Sequence, residues 1–110
     1  MAENMIARHW RGWTTAANAD AYEALLEEKV LPGLSEIEGY CGGYVLRKDS
    51  ADETEFVVIN FFDSMEAVQR FAGPDYTVPV IEPARDLLSK VEPVAHHYDV
   101  KVSKPATTFP

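Results

Sequence analysis

Three histidines, one amide and a small set of aromatic side chains are the groups of this chain best suited to chemistry: His9, His96 and His97, Asn60, and Trp13, Phe62, Phe71 and Tyr76. A neutral imidazole titrates near working pH and can take up or hand on a proton. His9 stands in the middle of MIARHWRGW with bulky neighbours on both sides, and its face is expected to look toward the helices. The alternative for it is a half-buried ring bonded to backbone. His96 and His97 are adjacent on an extended segment, so their side chains must point to opposite faces; one can reach a pocket and the other cannot, and the sequence leaves open which. Diverging rings do not make a metal site, and no acid–histidine cluster stands at ligand spacing elsewhere, so no metal is expected. Asn60 is polar inside the apolar run VVINFF, where an amide costs stability unless it is hydrogen-bonded. It either orients a ligand hydroxyl or carbonyl or makes a structural bond. Phe62, Phe71, Tyr76 and Trp13 can wall a flat aromatic ligand. Helical spacing alone would explain Phe71 as core, whereas Tyr76 lies in a proline-rich stretch and suits a lid.

These residues need elements to hold them. Residues 5–13 read as a strand on which Ile6, Arg8, Trp10 and Gly12 face one way. That side is expected to be the uncovered one, with Arg8 needing a carboxylate partner, such as one across a two-fold axis. Asn18 can cap a helix over 19–31 with the apolar stripe Tyr22, Leu25, Leu26 and Val30, and Pro32-Gly33 interrupts or ends it. A strand over 40–48, loosened by Gly42-Gly43, is joined by a polar turn at 49–54 to a strand over 56–62. The latter feeds an amphipathic helix capped by Asp63 or Ser64, carrying Val68, Phe71 and Ala72 on one face and closed by Gly73-Pro74. A brief helix is expected over 83–90 and a last strand over 94–102. Residues 1–102 make one domain and 103–110 a polar tail. The order β-α-β-β-α-(α)-β is the split βαβ, ferredoxin-like arrangement: an α+β fold with a four-stranded antiparallel sheet and helices on one face. An apolar sheet face left bare is expected to be covered, and the simplest cover is the same face of a second copy, giving a homodimer with a barrel-like interior.

Composition narrows the partners. The 110 residues carry a formal net charge of −8, which argues against nucleic acid and anionic membrane. Residues 20–63 hold eleven Asp or Glu against Lys29, Arg47 and Lys48, read as a solvated surface. Cys41 is the single cysteine, so no intramolecular disulfide forms, and a cytoplasmic setting is expected. Cys41 itself is expected to be a small packing residue. The start of the chain lacks the apolar stretch of a signal peptide. No glycine-rich phosphate loop or nucleophile elbow is present.

The start MIARHWRGWT, the segments Pro32-Gly33, Glu38-Gly39-Tyr40 and Gly43 to Arg47, the run FFDSMEAVQRFAG and the closing HHYDV together resemble the antibiotic biosynthesis monooxygenase family of the dimeric α+β barrel superfamily. The resemblance spans about residues 5–102. It implies the dimeric fold above and an activity among cofactor-free oxygenases of aromatic polyketides, haem-degrading enzymes and quinol oxygenases. The haem-degrading branch fits poorly. Its ligating histidine falls at about Ile81, its pocket tryptophan at Phe71 and its first-strand asparagine at about His9. The cofactor-free branch deprotonates an electron-rich phenol or quinol, whose carbanion gives an electron to oxygen. The chain would then supply a base or hydrogen-bond partner and a dry pocket. The resulting expectation is a cofactor-independent monooxygenase of a phenolic or polycyclic aromatic compound, with His9, Asn60 and His97 catalytic and Trp13, Phe62, Phe71, Tyr76 and His96 against the substrate. The alternative is a non-catalytic dimeric protein that binds a small apolar metabolite.

Overall fold

Strict alternation of buried and half-buried residues along residues 6–14 and 53–62 identifies the two central strands, because successive side chains of a strand leave by opposite faces. The computed structural model describes residues 5–82 and 84–104. Strand β1 (Ile6–Thr15) pairs antiparallel along its whole length with β3 (Glu53–Phe62), and β3 pairs on its other side with β2 (Tyr40–Asp49). The opposite edge is made by two short strands in succession, β4 (Leu88–Val91) and β5 (His96–Asp99), both antiparallel to β1. The sheet order β2-β3-β1-β4, with β5 continuing the β4 edge, is the ferredoxin-like order. The fourth strand of the expected four is thus split in two, giving five.

The edge departs from the sequence expectation. The helix expected over 83–90 is a single tight turn at Arg85–Leu87 running straight into β4, and its expected first residue, Pro83, lies outside the described residues. Leu88 and Val91 do not pack as a helical stripe because they are drawn into the ladder opposite Thr14 and Gly12. The last strand is only His96–Asp99 rather than 94–102. Of the expected tail, residues 105–110 also lie outside the described residues.

Helical cover comes from two places. Between β1 and β2, α1 (Ala19–Leu25) continues through a wide π-helical turn (Leu26–Val30) into α2 (Leu31–Ser35). Pro32-Gly33 therefore does not end the helix. The widened turn just ahead accommodates a residue that lacks an N–H and would crowd the preceding turn, and burial of Leu34 to 2 % exposure favours continuing. Asn18 makes no side-chain cap. Instead Thr15 Oγ1 accepts from the Asn18 N–H at 3.2 Å and starts the preceding 3₁₀ turn. After β3, α3 (Met65–Ala72) is capped by Ser64, whose Oγ accepts from the Ala67 N–H at 3.1 Å, and it closes at Gly73 with φ 89°.

The two core clusters place the helices on the sheet. Tyr22 and Leu26 pack with Trp10, Phe56 and Val58; Leu34, Ala67 and Val68 pack with Ile6 and Phe62. The covered face of β1 is therefore Ile6, Arg8, Trp10, Gly12 and Thr14, all buried. This reverses the expected facing: Arg8 and Trp10 lie under the helices, and His9 and Trp13 lie on the uncovered side. On that uncovered side Tyr44, Leu46 and Tyr98 are about half exposed. No helix among the described residues is long and apolar enough to cross a membrane.

Candidate functional site

Polar groups converge where the middle of the sheet meets the helices. Arg8 pairs with Asn60 on β3 and with His97 on β5, so all three leave the sheet by the covered face. Asn60 is 4 % exposed, and its Oδ1 accepts from the Tyr40 hydroxyl at 2.8 Å. Tyr40 reaches it because of a bulge. Tyr40 opposes Phe62 while Gly42 opposes Phe61, so Cys41 is an extra residue, and Tyr40 is turned to the covered face instead of the open one. Gly43 opposes Asn60, and a Cβ there would overlap Asn60 Oδ1 and lie 2.6 Å from the Tyr40 hydroxyl. Only a glycine leaves room for that bond. With Oδ1 engaged, the Asn60 amide nitrogen has no hydrogen-bond partner among the described residues. Burial raises the Tyr40 hydroxyl above its ordinary pKa, so it stays a donor.

Arg8, 4 % exposed, donates to the carbonyls of Tyr76 at 2.5 Å and Val78 at 3.2 Å. Its Nη1 lies 3.0 Å from His97 Nε2, so that nitrogen is the acceptor and His97 is neutral. Desolvation, with smaller effects of Arg8 and His96, pushes His97 down to about 4. The Arg8 guanidinium also sits over the Phe71 ring, 5.4 Å from its centroid. Phe71 stacks on Phe62 at 6.3 Å, and Tyr76 meets His97 edge-on at 5.0 Å.

Of these groups Arg8, Asn60 and Phe71 border a cavity of about 50 Å³, walled also by Trp10, Tyr22, Pro79 and Val80. At roughly 30 Å³ per water it holds one or two waters, whereas a cavity that takes up benzene is on the order of 150 Å³. A ligand of aromatic size therefore needs part of the wall to give way, and residues 74–82, which carry no helix or strand, contribute Pro79 and Val80 to that wall. Arg8 fastens that segment through Tyr76 and Val78. A wider, shallow hollow of about 700 Å³ lies on the open side of the sheet between Met5, Tyr44, Phe61 and Val102. Among the described residues no three His, Cys, Asp or Glu come together in a way that could hold a metal.

Of the residues singled out in the sequence, Asn60, His97, Phe62, Phe71 and Tyr76 are brought together here. Of these only Asn60 and Phe71 line the cavity: Phe62 is wholly buried beneath Phe71, and His97 and Tyr76 reach the cavity only through Arg8. The others are not brought there. His9 faces the open side, its ring 6.5 Å from that of His96, because its neighbours Arg8 and Trp10 take the covered face. His96 hydrogen-bonds Glu92 Oε2 at 3.2 Å, and the Trp13 ring is contacted by the cations of Arg11 and Lys90. Cys41 is exposed at the bulge rather than packed. Sequence reasoning passed over Arg8, Tyr40 and Gly43 as site residues. The signal for the last two was Gly42-Gly43 inside a strand, a recognisable bulge mark.

The family model for antibiotic biosynthesis monooxygenase matches residues 5–76, and the chain belongs to that family. Solved structures agree on the fold. A Nitrosomonas europaea protein of unknown function, NE2512, superposes with a TM-score of 0.70 at 18% identity over 98% of this chain and 100% of its own. A mutant of SnoaB, a cofactor-independent oxygenase from Streptomyces nogalater, gives 0.60 at 16% identity over 96% and 99%. The monooxygenase from the gene ActVA-Orf6 of Streptomyces coelicolor, in complex with nanaomycin D, gives 0.63 at 17% identity over 96% and 95%. At these identities the likeness is one of fold. No curated protein matches the sequence.

Proposed function

We propose that the protein is a cofactor-independent monooxygenase of a phenolic or polycyclic aromatic small molecule. The observation that carries this reading is the buried amide of Asn60, its oxygen tied back by Tyr40 and its nitrogen unpartnered among the described residues, in the wall of a cavity shared with Arg8 and the Phe71 ring. Asn60 donates to the substrate's hydroxyl oxygen and holds the ring in one orientation. The phenolic proton leaves to water, because the single acceptor nitrogen of neutral His97 is already taken by Arg8. The resulting carbanion gives one electron to O₂, and the radical pair joins as a peroxide at carbon. Loss of water then leaves a carbonyl, so the substrate itself supplies the electrons. A histidine held near 4 is a weak base, so the site must acidify the phenol more than pull on its proton.

Pairing of two copies through the open sheet face belongs to the same reading. Tyr44, Leu46 and Tyr98 form an exposed apolar surface there, of the kind that marks an interface. His9 and His96 fall on that face and act, in this reading, in the dimer interior rather than at the covered cavity.

Oxygen uptake by the metal-free protein with anthrones, naphthols and quinols tests the proposal. Uptake is expected, and Asn60→Ala is expected to slow it by about tenfold or more. The weak base favours a second reading, a binding protein for an apolar metabolite. Saturable binding of the same compounds without oxygen consumption would select it.

A further inference from the structure

Arg8 is buried to 4 % exposure, and none of the ion pairs among the described residues involves it. A buried cation ordinarily has a carboxylate partner, because desolvation is costly and an unpaired charge recovers little of it. Among the described residues the guanidinium is met only by neutral acceptors, two peptide carbonyls and the His97 ring, and by the π-face of Phe71. It lies in the wall of the cavity beside Asn60. Burial brings its pKa down to about 10, which leaves it charged at neutral pH. An oxyanion adds to such a bond the Coulomb attraction between opposite charges, strengthened in a buried site, which a neutral carbonyl does not supply. An anionic oxygen entering the cavity would therefore draw the guanidinium from the carbonyls of Tyr76 and Val78. The same exchange would free the 74–82 segment, which supplies Pro79 and Val80 to the wall that an aromatic ligand must push back.

We infer that Arg8 is a specificity-determining residue which selects aromatic ligands carrying an anionic oxygen, a phenolate or a ring carboxylate, and that this oxygen replaces the Tyr76 and Val78 carbonyls on the guanidinium. The inference rests on reading the covered cavity as a ligand site, and it deepens the oxygenase reading. The same cation would lower the pKa of a bound phenol, which is the help that proton loss to water needs.

Matched probes test it by calorimetry on the full chain: 2-naphthoate against 2-naphthamide, and 4-nitrophenol followed by its phenolate absorbance. Naphthoate is expected to bind at least about tenfold tighter than the amide, and Arg8→Gln to bring the two within about twofold. If Arg8→Gln does not fold, the wild-type ratio decides alone. Equal affinity, a preference that survives in Arg8→Gln, or no binding of either naphthalene probe overturns the inference. Naphthoate preference with raised nitrophenol ionisation supports both oxyanions; naphthoate preference without it supports the carboxylate alone. Oxygen uptake is scored separately. An anion preference with no oxygen consumed overturns the oxygenase reading and leaves this one standing; oxygen consumed with no anion preference does the reverse.

Discussion

Tyr40→Phe removes one hydroxyl and tests what holds Asn60 in place. That hydroxyl donates to Asn60 Oδ1 at 2.8 Å, and Asn60 is 4 % exposed, so the change leaves a buried carbonyl without its donor. Orphaning a buried acceptor costs about 1–3 kcal/mol. Asn60 borders a cavity of about 50 Å³, room for a water that can partly replace the hydroxyl. The expected cost therefore falls in the lower part of that range, about 1–2 kcal/mol. In urea, with a slope of about 1–2 kcal/mol per molar for a small domain, the midpoint drops by on the order of 1 M with the slope unchanged. In an Asn60→Ala background no acceptor is left to orphan, so the same substitution should cost less than about 0.5 kcal/mol, a coupling of roughly 1 kcal/mol between the two sites. A midpoint that does not move, or an equal cost in both backgrounds, would refute the claim that Tyr40 fixes the amide. With activity in hand, Tyr40→Phe should lower oxygen uptake by loosening the substrate's orientation, and it should do nothing further in Asn60→Ala.

Three other outcomes follow from the same geometry. Gly43→Ala places a methyl on top of Asn60 Oδ1 and 2.9 Å from the Ile59 carbonyl; it should destabilise by about 1–3 kcal/mol, with little added by Tyr40→Phe, as read by denaturant titration of the double variant. His97 is pushed down to about 4 from an ordinary 6.5, so between those values the unfolded chain binds a proton that the folded one does not. Its contribution to stability is present above pH 6.5 and is lost as pH falls toward 4. The melting-temperature gap between wild type and His97→Gln should shift against the wild type over that window and level off below it, and a constant gap would count against the assignment. On the open face proposed above to pair with a second copy, Leu46→Asp, at a position 48 % exposed, should leave the fold intact by circular dichroism and shift sedimentation toward the monomer, since a carboxylate buried in that interface would be uncompensated.

The sequence alone determined the first three strands, the capped helix after the third of them, and the ferredoxin-like order, because period-two alternation, a side-chain cap and a closing glycine are local signals; Leu88–Val91 has helical spacing and is a strand only through its pairing with β1. Asn60 and Phe71 were legible for the same reason: a lone amide in an apolar run, and an aromatic at helical spacing. Which face of the first strand is covered was not legible. Large side chains stand on both faces of residues 5–13, so alternation sorts them into two sets without saying which set meets the helices. Packing decided it: Tyr22, Leu26 and Leu34 land on the side of Trp10 and Ile6, which carries Arg8 into the site and His9 out of it. Register settled the two adjacent histidines, with His97 opposite Arg8 and His96 opposite His9. The bulge at Cys41 turned Tyr40 inward. The sets of residues that travel together are a property of the chain, while the side they occupy belongs to the contacts between distant elements, and only the tertiary structure holds those.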